Sequence, residues 1–283
     1  MPKKQSLISS TFFLRILLTL STLTLLSFAA VFTISASAAT THSESSQEYL
    51  VLGDSLVFGF QPDGDFTHGY ATDLFQRLQA ERRFDKLVNL GCSGETSSSF
   101  ITGNNNFEGT PLTCPRLQVE GSLPQLSAAL TNLEQNAERT DLVTLQIGAN
   151  DVLAAINSAN CTVQTDLFNA NLATVDQNLT QTILPQLHKA LKNGHGHHTR
   201  LVLVKYYDPF QQVCPNVSPF VKILNDHLQK DATIGHASTV DLADSFNGQV
   251  CDLTWMCSTT PDVHPSDKGY QVIADDIFQQ IPY

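Results

Sequence analysis

The sequence predicts an α/β protein of three layers, with helices on both faces of a five-stranded parallel sheet. Two observations carry this prediction. Five short apolar, β-branched runs recur along the chain, several without polar alternation, and strands that are apolar on both sides need cover on both faces. Between them lie segments whose apolar residues recur at helical spacing. Strand and helix alternating in this way build a sandwich with right-handed crossovers.

The strand runs fall at residues 49–52, 87–90, 142–147, 201–204 and 240–243. Tyr70, Leu74 and Leu78 mark the first helix, and Leu126, Leu130 and Leu133 the next. Leu172, Val175, Leu179 and Ile183 mark a third, in which Pro185 should kink or divide the helix because it lacks the N–H that the ladder needs. Val221, Leu224 and Leu228 give a fourth. The last is expected after Pro265, capped by Ser266, with Val272, Ile273, Ile277 and Phe278 facing inward.

Ahead of the first strand, Lys3, Lys4 and Arg15 precede an apolar stretch from Ile16 to Ile34 that ends in Ala36-Ser37-Ala38. This reads as a secretory signal, residues 1–38, cut after Ala38. Its length also allows the alternative of an uncleaved membrane tether. Residues 39–47 form a short polar tether, and 48–283 a single domain. Loss of the three basic residues leaves 13 Lys and Arg against 27 Asp and Glu, a net charge of −14. Such a surface repels phosphate backbones, which excludes nucleic acid as a partner, and it suits a soluble exported monomer.

Cys92, Cys114, Cys161, Cys214, Cys251 and Cys257 all follow the signal, and an even count in an oxidising compartment points to three disulfides. Consecutive pairing (92 with 114, 161 with 214, 251 with 257) closes the most local loops. No Cys-x-x-Cys occurs, so a zinc ribbon has no support, and the His195-Gly196-His197-His198 cluster reads as a solvated loop rather than a metal site. Sequons stand at Asn160, Asn178 and Asn216.

Parallel α/β sheets carry their sites at the carboxyl ends of strands. Four residues pass that filter: Ser55 in LVLGDSLVFGF, Gly94 in VNLGCSGETS, Asn150 in LQIGANDV, and His264 in PDVHPSDKGY just before the last helix. A serine attacks only when a base takes its proton, and histidine suits that task. The oxyanion then formed needs donors, which the N–H groups of Ser55 and Gly94 and the amide of Asn150 could supply. Asp54 reads as a brace for the turn after the first strand.

Gly53-Asp54-Ser55-Leu56, Gly94, Asn150 and His264 resemble the four blocks of the SGNH, or GDSL, hydrolases, in order and in spacing. The resemblance implies a flavodoxin-like sheet and a serine esterase site that needs neither metal nor organic cofactor. It implies Ser55 as nucleophile, Gly94 and Asn150 as oxyanion donors and His264 as base, acting on a small-molecule or lipid ester. Removal of acetyl groups from carbohydrate is the alternative, and a non-catalytic binding module on the same scaffold a further one. The usual aspartate three residues before the histidine is replaced here by Pro261, which leaves Asp262 or a backbone carbonyl to orient the ring. The loop 100–115 is expected to border the pocket, with Phe100 and Phe107 as one wall and Trp255 and Met256 as the other.

Overall fold

The computed structural model describes residues 47–81, 84–103, 106–107, 110–111, 114, 124–193 and 199–281. The expected signal, all of the tether but Gln47, and the 195–198 histidine cluster lie outside the described residues. Five strands, β1 (Glu48–Gly53), β2 (Lys86–Asn89), β3 (Thr140–Gln146), β4 (Arg200–Val204) and β5 (Ser238–Val240), form one parallel sheet. Their order is β2-β1-β3-β4-β5, the flavodoxin-like arrangement. Every residue of β1 is buried, because it lies between β2 and β3 with Leu50 opposite Val88 on one side and Val143 on the other. Its Tyr49 hydroxyl pairs across the sheet with Thr144 Oγ1 at 2.9 Å.

The helices are α1 (Ser55–Phe58), α2 (Tyr70–Ala80), α3 (Ser97–Thr102), α4 (Gln125–Asn136), α5 (Ala149–Leu153) and α6 (Thr165–Asn178). They continue as α7 (Leu184–Asn193), α8 (Ser218–Ile234), α9 (Ala243–Phe246), α10 (Val250–Leu253) and α11 (Asp267–Gln280). The first and last long helices, α2 and α11, pack together, whereas α4 packs on α7 and α6 on α8. Both faces of the sheet are thereby covered. Among the described residues no helix is long and apolar enough to cross a membrane.

Two local expectations change, and that of a divided helix at Pro185 is met. The fifth strand ends at Val240 and not at Ala243, because Asp241 Oδ1 accepts the Ala243 N–H at 2.9 Å and turns the chain into α9. Pro185 follows a π-helical turn, Leu179–Ile183, that widens the ladder between α6 and α7. The start of the expected 100–115 loop is helical: Thr96 and Ser99 form a capping box for α3 and drive Phe100 into the core, where it is wholly buried. Disulfides join Cys92 to Cys114, Cys161 to Cys214 and Cys251 to Cys257, the consecutive order.

Since β2 lies on one side of β1 and β3 on the other, the connections leaving β1 and β3 diverge at the sheet's carboxyl edge. A crevice opens at that switch point. Ser55 and Asn150 stand at its two sides.

Candidate active site

The serine is presented by a break that only glycine can make. At Gly53 φ is +139°, and a Cβ there would lie 1.9 Å from the Gln146 carbonyl oxygen. Asp54 then caps α1, accepting the Leu56 N–H at 3.0 Å, so Ser55 opens the helix half-buried at the crevice. The histidine comes from the far end of the chain. A bridge between Thr254 and Pro265 and the Trp255 N–H to His264 carbonyl bond at 3.0 Å hold its segment, and the Cys251–Cys257 disulfide closes the loop beneath.

His264 Nε2 lies 2.8 Å from Ser55 Oγ, and its Nδ1 lies 2.5 Å from Asp262 Oδ1. An Nδ1–H that donates to the carboxylate leaves Nε2 as acceptor for the serine hydroxyl, so one tautomer serves both bonds. Asp262 also accepts the His264 backbone N–H at 2.9 Å. Burial works to raise the Asp262 pKa, but the hydrogen bond and charge of His264 outweigh it and hold the carboxyl below its usual value. Phe60 lies against the imidazole, ring centroids 4.6 Å apart.

Gly94 has φ +71°, the left-handed conformation expected of its turn. Asn150 reaches that turn directly, donating from Nδ2 to the Glu95 carbonyl at 2.9 Å. Its amide retains a second proton. Ser55, Asn150 and His264 line one cavity, of about 130 Å³, whose remaining walls are largely apolar side chains from α5, α6, α8 and the segment after β4. Phe100, Trp255 and Met256 are not among those walls. Phe100 belongs to the main core, Met256 to a smaller apolar cluster, and the Trp255 indole faces Gln61 at 3.5 Å. The side chain of Phe107 lies outside the described residues.

Three supporting residues escaped the sequence reading. Gln125 clamps Gly53, accepting its N–H at 2.6 Å and donating to its carbonyl at 3.0 Å, and it also donates to the Glu95 carboxyl at 2.9 Å. One amide thus ties the turn that presents Ser55 to the turn that carries Gly94. Glu95, beside Gly94 in sequence, was within reach of the strand-end filter; Gln125, the first residue of α4, gave no signal. Tyr206, two residues past β4, donates to Asp54 Oδ2 at 2.5 Å and is itself held through its backbone by Asn225 at 2.9 and 2.7 Å. Among the described residues, the cluster spaced for a metal is Cys92, Glu95 and Cys114, and its two sulfurs are bonded to each other.

Two of these carboxyls, Asp54 and Glu95, are buried. Burial raises Asp54 to about 6, against the hydrogen bonds of Tyr206 and Leu56, and Glu95 to about 7, against those of Ser99 and Gln125. A carboxyl raised in the folded state holds its proton where the unfolded chain has lost it. The resulting stability is complete below about pH 4 and is lost as pH rises through about 6 for Asp54 and about 7 for Glu95, on the order of 3 kcal/mol each. Urea unfolding should therefore give a higher midpoint at pH 5 than at pH 8, and Glu95→Gln should flatten that difference. Equal midpoints, or an unaltered slope in the variant, would contradict the assignment.

The family match makes the chain a carboxylic ester hydrolase. More narrowly, the chain belongs to the GDSL-like lipase/acylhydrolase family, whose profile matches residues 51–272. Its fold is similar to that of the lipase Lip_vut3 from a goat rumen metagenome (TM-score 0.56, 18% identity, 83% of this chain and 97% of that one). It is likewise similar to Axe2, an acetylxylan esterase from Geobacillus stearothermophilus (TM-score 0.54, 18% identity, 84% and 95%). No curated protein matches the chain by sequence.

Proposed function

We propose that the protein is an exported serine ester hydrolase working through an acyl-enzyme at Ser55. The observation that carries this reading is the hydrogen-bonded line from Ser55 Oγ through His264 to Asp262, at 2.8 and 2.5 Å. Ser55 Oγ attacks the ester carbonyl carbon while His264 Nε2 takes its proton. The carbonyl oxygen, now negative, accepts from the N–H groups of Ser55 and Gly94 and from the free amide proton of Asn150. Collapse expels the alcohol, protonated by His264, and leaves Ser55 acylated. His264 then takes a proton from water, which attacks the acyl carbon and releases the acid, and the proton returns to Ser55.

Asp262 keeps the Nδ1–H tautomer and stabilises the imidazolium that forms in each half of the cycle. Export is supported by the basic, apolar and small-residue order of residues 1–38 and by three disulfides, which persist in oxidising compartments. Deacetylation of carbohydrate is a second reading, favoured by the likeness in fold to the acetylxylan esterase. A fluorophosphonate should add one covalent label, and peptide mapping should place it on Ser55. A label elsewhere, or none on the folded protein, would overturn the assignment.

A further inference from the structure

Away from Asp54, Ser55, Asn150 and His264, the cavity beside Ser55 is lined by Leu, Ile, Val, Ala, Pro, Phe and Tyr side chains. Asp54, Ser55, Asn150 and His264 contribute polar groups where the chemistry is placed. Two tyrosines in the remaining lining have hydroxyls already engaged: Tyr206 donates to Asp54, and Tyr207 donates to the Val263 carbonyl at 2.5 Å. What these rings offer the cavity is hydrocarbon surface. A sugar or a charged group placed there would give up its hydrogen bonds to water and find few in return, whereas a methylene chain gives up none.

Size sets an upper bound. About 130 Å³ is close to the ~150 Å³ cavity that holds a benzene ring, with its six carbons. The walls also resist widening. Leu153 and Ile156, from α5 and the segment after it, face Phe210 from the segment after β4, and the Cys161–Cys214 disulfide joins these two segments across 53 residues. Phe210, Cys214 and Val221 pack with Leu153, Ile156 and Cys161 in one small cluster. In the part of the lining supplied by α6 and α8, wholly buried Phe168 meets Phe220 edge to face at 5.0 Å.

We infer that this cavity is the acyl site, that it takes straight aliphatic chains of about four to eight carbons, and that Phe220 and the Cys161–Cys214 disulfide set that limit. The inference rests on Ser55 being the nucleophile. It places the alcohol portion of the ester, sugar or otherwise, outside the cavity.

The test is a series of p-nitrophenyl esters from acetate through butyrate, hexanoate and octanoate to palmitate, assayed with the full disulfide-bonded protein and with Ser55→Ala. Each added methylene that finds room should raise kcat/KM about fourfold, the equivalent of ~0.8 kcal/mol. Butyrate to octanoate should thus exceed acetate by tenfold or more, and palmitate should fall at least tenfold below the optimum. Phe220→Ala should move the optimum to longer chains. Cys161→Ser/Cys214→Ser should raise the palmitate-to-butyrate ratio several-fold, and a ratio is unaffected by any loss of active protein. Serine-dependent hydrolysis that prefers acetate, or a profile unchanged in both variants, would overturn the acyl-site inference alone. Hydrolysis that survives in Ser55→Ala would instead overturn the nucleophile on which it rests.

Discussion

Ser55→Ala is expected to lower kcat for p-nitrophenyl butyrate by 10⁴-fold or more, on the order of what removal of a nucleophile costs other serine hydrolases. The loss should fall on kcat rather than KM, because the apolar cavity and the Asn150 amide that meet the bound ester are untouched. Stability should hardly change. Asp54 caps α1, not Ser55, and Gly53 keeps both its bonds to Gln125, so the turn survives without the hydroxyl. Circular dichroism and a thermal midpoint equal to the parent's would show this. A folded Ser55→Ala protein that keeps more than about 1% of the parent's turnover would remove Ser55 from the mechanism.

The second large effect is expected at Asp262→Asn, a loss in kcat of about 10⁴-fold. Both His264 bonds fall on one oxygen, Asp262 Oδ1, so an amide that turns its NH₂ to Nδ1 gives up the His264 backbone N–H, while the Trp255 N–H to His264 carbonyl bond and the Cys251–Cys257 disulfide still hold the loop. What changes is the proton. An amide turned so that its NH₂ faces Nδ1 stabilises the tautomer with the proton on Nε2, which then points at Ser55 and cannot take its hydrogen. The imidazolium that forms during attack would also lose its counter-charge. Turnover within a few-fold of the parent would favour the alternative, a Ser-His dyad with the ring oriented by other means. The point has particular interest because Pro261 occupies the position where the resembling hydrolases keep their aspartate.

The strand-end residues were legible because each follows a feature with its own local signature. Apolar runs end at Gly53, near Gly94 and before Asn150, and glycine or a small-residue turn marks each break. The last helix declares itself through Ser266, which does cap α11 by accepting the Gly269 N–H at 3.3 Å. Errors arose where a signal was ambiguous at short range. Residues 240–243 are apolar enough for a strand, yet Asp241 diverts them into a turn. Phe100 reads as loop in the sequence because the polar residues beyond it, 102–106, mask the capping box before it.

The walls of the site were not legible at all. Leu153, Phe168, Phe210 and Phe220 come from four segments spread over some 70 residues, and each reads in sequence as ordinary core. Nothing in a chain's periodicity says which apolar residues will leave space between them. The polar supports are equally non-local: Gln125 meets Gly53 across 72 positions, and Tyr206 meets Asp54 across 152.

By itself, then, the amino-acid order determined the layers, the strand ends and the residue types placed there, since these depend on spacing, turn chemistry and side-chain identity. Tertiary structure alone decided that His264 reaches Ser55 across 209 positions, that Gln125 and Tyr206 brace the turn that carries Ser55, and that the cavity is small and apolar. Those outcomes depend on how distant segments close on one another, and hydrogen-bond geometry and packing volume exist only after they have done so.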